Sequence, residues 1–417
     1  SIYLLIDPWF SSHGLSAVPI FDGFRQASIN HPPISKNNMI NIHLYPSDFS
    51  CETRIEKEAK SISKIDLFTR IVLIGLSACK SGPNQWSIND TVEVKLVGRR
   101  VPRFSIFGKI SSIVSYYIGV FKLVMSYDVR CINAHSLSVL PLCVFLAKKT
   151  GAKLIYDTHE LETETNSTGG LRKVLGKFAE SIFIKHADHV FVVGEEIAEW
   201  YASAYSIEKP TVILNSPPYA TVAKSDYFRS KFLLNDEQVI CLYLGSLSEG
   251  RGIVKLCNSF MSFCDDSMVI VFMGSGDLKD YVLGCDKKSS RIFYHDPVPT
   301  TEVVKFSSSA DVGLSLVENT CLSHFYSMPN KIFEYLFSSL PVVVSNMRET
   351  ASFVEKYSIG EVLCDDTCSS LHSAILKVTN FEFDMSGISR VIKDTCWERQ
   401  EEKMLLVYKK LLTGADQ

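Results

Sequence analysis

A chain of 417 residues exceeds what one hydrophobic core usually organises, which points to two domains of ordinary size. Its 46% hydrophobic and 21% charged residues are ordinary for a globular chain. A net charge of −3 argues against a general nucleic-acid binder, whose phosphate contacts need a basic face.

The first 38 residues, with His31-Pro32-Pro33, continue no regular element and are read as an N-terminal extension. Residues 1–10 are apolar but carry Asp7 and no basic n-region, so no secretory signal is expected. The first strand signal is 39–45, followed by a helix at 51–64. Short apolar runs follow at 71–75, Val92–Val97, 129–133, 153–156 and 189–193, with helical patterns at 138–149 and 171–186 between several of them. A basic run of Lys95, Arg99, Arg100, Arg103 and Lys109 leads into an apolar helix pattern at 104–125. Ile106, Phe107, Ile110, Ile113, Val114, Tyr117, Phe121 and Val124 there fit a core helix, or a helix resting on an anionic membrane surface. Its least charged part, 110–121, is too short to cross a bilayer.

A run at 211–215 ends this series, and Ser216-Pro217-Pro218 breaks regular structure. A second series has strands at Val239–Leu244, Met268–Met273, 291–294, 312–316 and 341–345, with helices at 253–263, 301–308, 330–338 and 350–357. The last helix, 397–412, places Trp397, Met404, Leu405, Tyr408 and Leu411 on one face and should dock on a domain. Strands alternating with helices predict parallel sheets covered by helices. The expected fold class is therefore α/β, with two Rossmann-like domains facing a cleft: 39–217 on the acceptor side and 218–390 binding the ligand. Residues 391–417 form a terminal helical segment packing back across the domains, and the hinge falls near 216–218.

The twelve cysteines are dispersed, with no CxxC pair and no Cys/His cluster of zinc spacing. They are read as reduced, apolar residues of a cytoplasmic protein, and no metal or cofactor is expected. No GxGxxG follows the first strand of either series, which argues against a nicotinamide oxidoreductase.

Two turns and one helix could carry chemistry. In LGSLSEGRG, Gly245 and Ser246 let backbone amides approach a phosphate, and Arg251 adds a charged donor fork suited to a diphosphate; a plain strand-to-helix connection fits equally. Gly274 and Gly276 form a second such turn. In PNKIFEY, Asn330 and Lys331 stand at a helix start, where a cation makes sense beside an anionic ligand. Glu334, one turn deeper, could accept a vicinal diol or lie on the wet edge of an amphipathic helix.

From Met39 onward the chain resembles the family-4 type of glycosyltransferase with the GT-B fold, in its bacterial surface-polysaccharide subgroup. The resemblance is carried in order by ETRIEKEA, INAHSL, KLIYDTHEL, LGSLSEGRG, ADVGLSL, PNKIFEYLFSSLPVVVSN and WERQ. It implies transfer of a sugar from a UDP- or GDP-linked donor to a glycan or lipid-linked glycan, with retention and without an essential metal. Carried over, Glu334 would hold the donor ribose, and Arg251 and Lys331 would neutralise the leaving diphosphate. His135 would face the donor sugar, and Arg54, His159 and Glu160 would lie on the acceptor side. Many relatives have a glutamate eight positions before the one matching Glu334; here Tyr326 stands there and becomes a donor-side candidate, and Ser136 replaces an acid often found after the histidine. A nucleotide-sugar epimerase on the same fold and a non-catalytic glycan-binding module are the competing readings. The protein is expected in the cytoplasm, with peripheral contact to the inner face of the plasma membrane and no nucleic-acid partner.

Overall fold

The computed structural model describes residues 39–50, 52–77, 84–99, 106–166, 169–220, 222–263, 266–380 and 384–414, without the side chains of Ile106, Phe107 and Lys109. The expected N-terminal extension, Arg100 and Arg103 lie outside the described residues. The chain forms two compact units: Ser1–Tyr156 with Ile182–Asp188 and Leu411–Gln417, and Asp157–Ser181 with His189–Lys410.

The first unit contains β1 (Ile40–Leu44), α1 (Thr53–Ile62), β2 (Arg70–Leu76), β3 (Gln85–Ser87), β4 (Val92–Val97), α2 (Ile106–Val124), β5 (Val129–Ala134), α3 (Leu140–Thr150) and most of β6 (Lys153–Asp157). Its strands lie in the order β3-β4-β2-β1-β5-β6. All five residues of β1 and six of seven in β2 are buried, as expected of a parallel sheet covered on both faces. β3 is a short antiparallel edge strand on β4 that three residues were too few to signal. The chain leaves β1 toward β2 on one side and returns to β5 on the other, so the switch point of this sheet lies at the carboxyl ends of β1 and β5.

For α2, where the sequence fits either a core helix or a helix resting on an anionic membrane surface, the burial is divided. The helix buries Ser112, Tyr116, Val120 and Val124, a strict i+4 row, while Ile110, Val114, Ile118 and Phe121 remain exposed. The apolar pattern therefore covers two faces of the helix, of which one meets the unit's interior. Among the described residues no helix is long and apolar enough to cross a membrane.

The second unit continues with α4 (Gly170–Phe183, its last two residues belonging to the first unit), β7 (His189–Val192), α5 (Glu195–Tyr205), β8 (Thr211–Val212), α6 (Tyr227–Phe232), β9 (Val239–Leu244), α7 (Ile253–Ser262), β10 (Met268–Met273), α8 (Lys279–Asp286), β11 (Ile292–His295), α9 (Val303–Ser307) and β12 (Val312–Ser315). Then come α10 (Leu322–Phe325), α11 (Asn330–Phe337), β13 (Val342–Val344), α12 (Arg348–Tyr357), β14 (Gly360–Val362), α13 (Cys368–Thr379), α14 (Ser386–Thr395) and α15 (Trp397–Thr413). β8 is shorter than the sequence suggested, because the chain leaves its pairing with β7 after Val212. The six-stranded parallel sheet has the order β11-β10-β9-β12-β13-β14, with its switch point between β9 and β12.

Its two faces are closed by helices whose apolar residues recur at helical spacing: Ile253, Leu256, Cys257 and Phe260 of α7 on one, Ile332, Tyr335 and Leu336 of α11 on the other. α15 docks as expected, burying Trp397, Gln400, Met404 and Tyr408; Gln400 Oε1 accepts from Leu214 N at 3.2 Å, and Trp397 N donates to Pro217 O at 2.9 Å. The nine described cysteines are free thiols.

Candidate functional site

The turn after β9 and the start of α11 meet at the switch point of the second sheet. Tyr335 sets their spacing. Its hydroxyl, fully buried, donates to Leu314 O of β12 at 3.0 Å and accepts from Leu244 N of β9 at 2.8 Å. It fills the gap between the two strand ends, and only a glycine at 313 fits under its ring: a Cβ there would stand 2.2 Å from it. One turn earlier on α11, Lys331 lies across Gly245, whose φ of +109° favours glycine; a Cβ there would stand 3.9 Å from the lysine Nζ, an ordinary contact.

Above these residues is a cavity of about 410 Å³ within the second unit, of a size suited to a small-molecule ligand. Its wall includes Gly245, Ser246, Arg251, Asn330, Lys331 and Glu334, all anticipated as donor-binding, and His159 and Glu160, anticipated on the acceptor side. The structure thus gathers eight of the expected residues into one cavity. Gly274 and Gly276 are not on its wall. They stand behind the 245–247 turn, where a Cβ on Gly274 would meet Gly245 O at 1.8 Å and one on Gly276 would meet Leu247 O at 2.5 Å. Close backbone approach accounts for both. Tyr326, half-buried at the end of α10 with its ring 5.2 Å from Phe325, is also off the wall.

Arg54 and His135 belong to the first unit. Arg54 is buried on α1 in an ion pair with Glu58 at 2.9 Å, and His135 is buried just after β5.

The charge pattern of the cavity is unusual. Lys331 is 8% exposed, and its Nζ lies 3.7 Å from the centroid of the Tyr243 ring. Burial, then the nearby Arg251 guanidinium, push its pKa down to about 7, while Glu334 pulls in the opposite direction. Two cations therefore face the same space, one of them desolvated, and a doubly charged anion between them would relieve both penalties. Glu334 is half-buried on the same face. Elsewhere around the cavity, His159 Nε2 lies 3.5 Å from Asp157 Oδ2, and Ser323 Oγ donates to Glu160 Oε2 at 3.4 Å.

Sequence reasoning missed Tyr243, Ser323, His324, Ser327 and Met328, which also line the wall, together with Val193, Ile197, Leu244 and Pro329. His324 Nδ1 lies 2.9 Å from Thr320 Oγ1 and 3.2 Å from Glu318 O, so the 318–325 loop folds on itself. The available signal was a histidine among small polar residues shortly before a helix start. It missed Glu349 as well: from α12 its carboxylate accepts Glu195 N at 3.0 Å and Glu196 N at 2.6 Å, capping α5.

Two parallel α/β sheets with a ligand-sized cavity at a strand-order reversal define a doubly wound architecture. No protein-family model and no curated protein matches the chain. Solved structures do. Sucrose-phosphate synthase from Thermosynechococcus elongatus superposes with a TM-score of 0.74 at 13% identity, covering 91% of this chain and 100% of that one. Anabaena HepE in complex with UDP-glucose gives 0.66 at 12%, covering 89% and 99%. WaaG, a glycosyltransferase involved in lipopolysaccharide biosynthesis, gives 0.62 at 12%, covering 90% and 100%. The chain has the GT-B fold.

Proposed function

We propose that the chain is a glycosyltransferase that moves a sugar from a nucleoside diphosphate donor to a glycan or lipid-linked glycan during surface polysaccharide synthesis. The observation that carries this reading is the buried Lys331 beside Arg251, with Glu334 one turn away, at the switch point of the second sheet. Two cations match a diphosphate, and a carboxylate on the same cavity wall matches the ribose diol. HepE was solved with UDP-glucose, which supports the same ligand class here.

In the proposed reaction Arg251 and Lys331 neutralise the departing diphosphate, so their charge counts most as the glycosidic bond breaks. Gly245, Ser246 and Asn330 bring polar groups to the donor, and His159 and Glu160 line the acceptor side. His135 contacts the donor sugar. Transfer proceeds with retention and needs no metal: the leaving diphosphate oxygen takes the acceptor's proton on the same face, and the protein supplies positioning and charge. The test is release of nucleoside diphosphate from a panel of UDP- and GDP-sugars, with and without acceptor. Release that rises with acceptor supports transfer; conversion of the donor without release supports an epimerase instead.

Peripheral contact with an anionic membrane belongs to the same proposal. α4 exposes Leu171, Val174 and Phe178, each by 60% or more, beside Arg172, Lys173 and Lys177, and α2 exposes its own apolar row. Interfacial helices have this composition. Phe178→Glu should weaken co-sedimentation with anionic liposomes at low salt; a wild-type protein that stays in the supernatant removes this element of the proposal.

A further inference from the structure

The first unit buries a polar chain at its own switch point. Asn41 and His43 share one face of β1, two residues apart, and Asn133 on β5 is in register with His43. With His135 just beyond β5, all four are at most 1% exposed. Asn133 Nδ2 lies 2.6 Å from Asn41 Oδ1 and 3.3 Å from Ile42 O; Asn41 Nδ2 lies 3.2 Å from His43 Nε2; His43 Nδ1 lies 2.8 Å from His135 Nε2, with the two rings stacked at 5.1 Å.

The direction of every bond in this chain follows from one end. A backbone carbonyl only accepts, so Ile42 O requires Asn133 to present its NH2 group. Asn41 must then turn its oxygen to Asn133 and its own NH2 to His43. His43 Nε2 accepts that proton, so the imidazole's hydrogen sits on Nδ1 and is donated to His135 Nε2. His135 is left with its hydrogen on Nδ1. We infer that Asn133, Asn41 and His43 are positioning residues that lock His135 as a neutral imidazole with its hydrogen on Nδ1 and its Nε2 engaged by His43.

Glu58 lies within 4.8 Å of the two histidine nitrogens, and these three groups would also be candidate metal ligands. The geometry favours the proton relay. A tetrahedral ion with bonds of about 2.0–2.1 Å holds its ligand nitrogens roughly 3.3 Å apart, whereas these are 2.8 Å apart, a hydrogen-bond distance. Glu58 is also already paired with Arg54.

The catalytic consequence rests on the transferase reading above. A His135 fixed in this tautomer, with Nε2 accepting from His43, presents one fixed ring orientation and cannot serve as a base through Nε2. The tautomer itself is independent of that reading. Nitrogen NMR of protein labelled in its histidines reads it directly, with His135 assigned by the signal lost in His135→Gln. The expected wild-type spectrum shows His135 Nδ1 protonated and Nε2 bare. His43→Phe should mix the two tautomers, and lower kcat about tenfold with little change in the donor KM. If His43→Phe does not fold, Asn41→Leu makes the same test by removing the donor to His43. A wild-type His135 protonated on Nε2, or an unchanged tautomer in the variant, overturns the relay even in an active enzyme. Scrambled tautomers with an unchanged kcat overturn the positioning role. Absence of transferase activity counts against the functional reading alone and leaves the spectrum standing.

Discussion

On the proposed reading, Lys331 makes nucleotide binding a proton-linked event. Its pKa of about 7, against an ordinary 10.5, corresponds to roughly 5 kcal/mol between the charged and neutral forms in the free protein. One negative charge at about 4 Å, in an effective dielectric near 20, returns about 4 kcal/mol. A nucleoside diphosphate therefore restores most of the ordinary pKa, and the lysine should take up a proton on binding. At pH 8 the free side chain is about one-tenth protonated, so uptake should approach about 0.9 proton per nucleotide; at pH 6 it should fall to about 0.1. Calorimetric titration of UDP and GDP in buffers of different ionisation enthalpy measures this uptake. Lys331→Met should abolish it and weaken binding. A wild-type binding heat independent of buffer at pH 8, or the same uptake in Lys331→Met, would refute the reasoning.

Further expectations follow from the same contacts. Between pH 7 and 10.5 the folded protein binds fewer protons at Lys331 than the unfolded chain, so this group makes stability rise with pH there, and its penalty is complete below pH 7. Lys331→Met should therefore raise the denaturant midpoint at pH 6, and the gain should fade toward pH 10. Tyr335→Phe strips Leu244 N and Leu314 O of a buried partner and should cost about 1–3 kcal/mol in denaturant unfolding. Gly274→Ala, whose Cβ would stand 1.8 Å from Gly245 O, should cost about 1–3 kcal/mol and weaken nucleotide binding, measured by unfolding and by titration. Glu349→Ala removes the acceptor of two amides at the start of α5 and should cost about 1–2 kcal/mol in the same unfolding assay.

The fold was legible where burial on both faces writes itself into the chain. Val92–Val97, Val239–Leu244 and Met268–Met273 have the boundaries that their patterns predict: the last two are continuous apolar runs between helix layers, whereas Val92–Val97 alternates, with Glu93 and Lys95 half-buried beside the buried Val92 and Val94. β14, at the sheet edge and only half-buried, carries no such run. α2 stayed open between two readings because apolar residues on an exposed face look like core residues in one dimension. At the site, Gly245, Arg251, Lys331 and Glu334 were legible because a strand-to-helix turn and a helix start are local patterns. His43 was not, since nothing local marks it: its significance arises from His135, ninety-two residues away and 2.8 Å distant. Gly274 and Gly276 also stand in close backbone packing behind the 245–247 turn, a contact only the neighbouring turn reveals.

The central claim is that the Lys331, Arg251 and Glu334 cavity binds a nucleotide-sugar for transfer. It is tested most directly by following glycosylated product from an active donor–acceptor pair with wild type and Glu334→Ala, both confirmed folded. The account predicts product from wild type and a loss in kcat/KM of about a hundredfold or more in the variant, equivalent to roughly 3 kcal/mol of transition-state binding. Equal rates from the two proteins would contradict it.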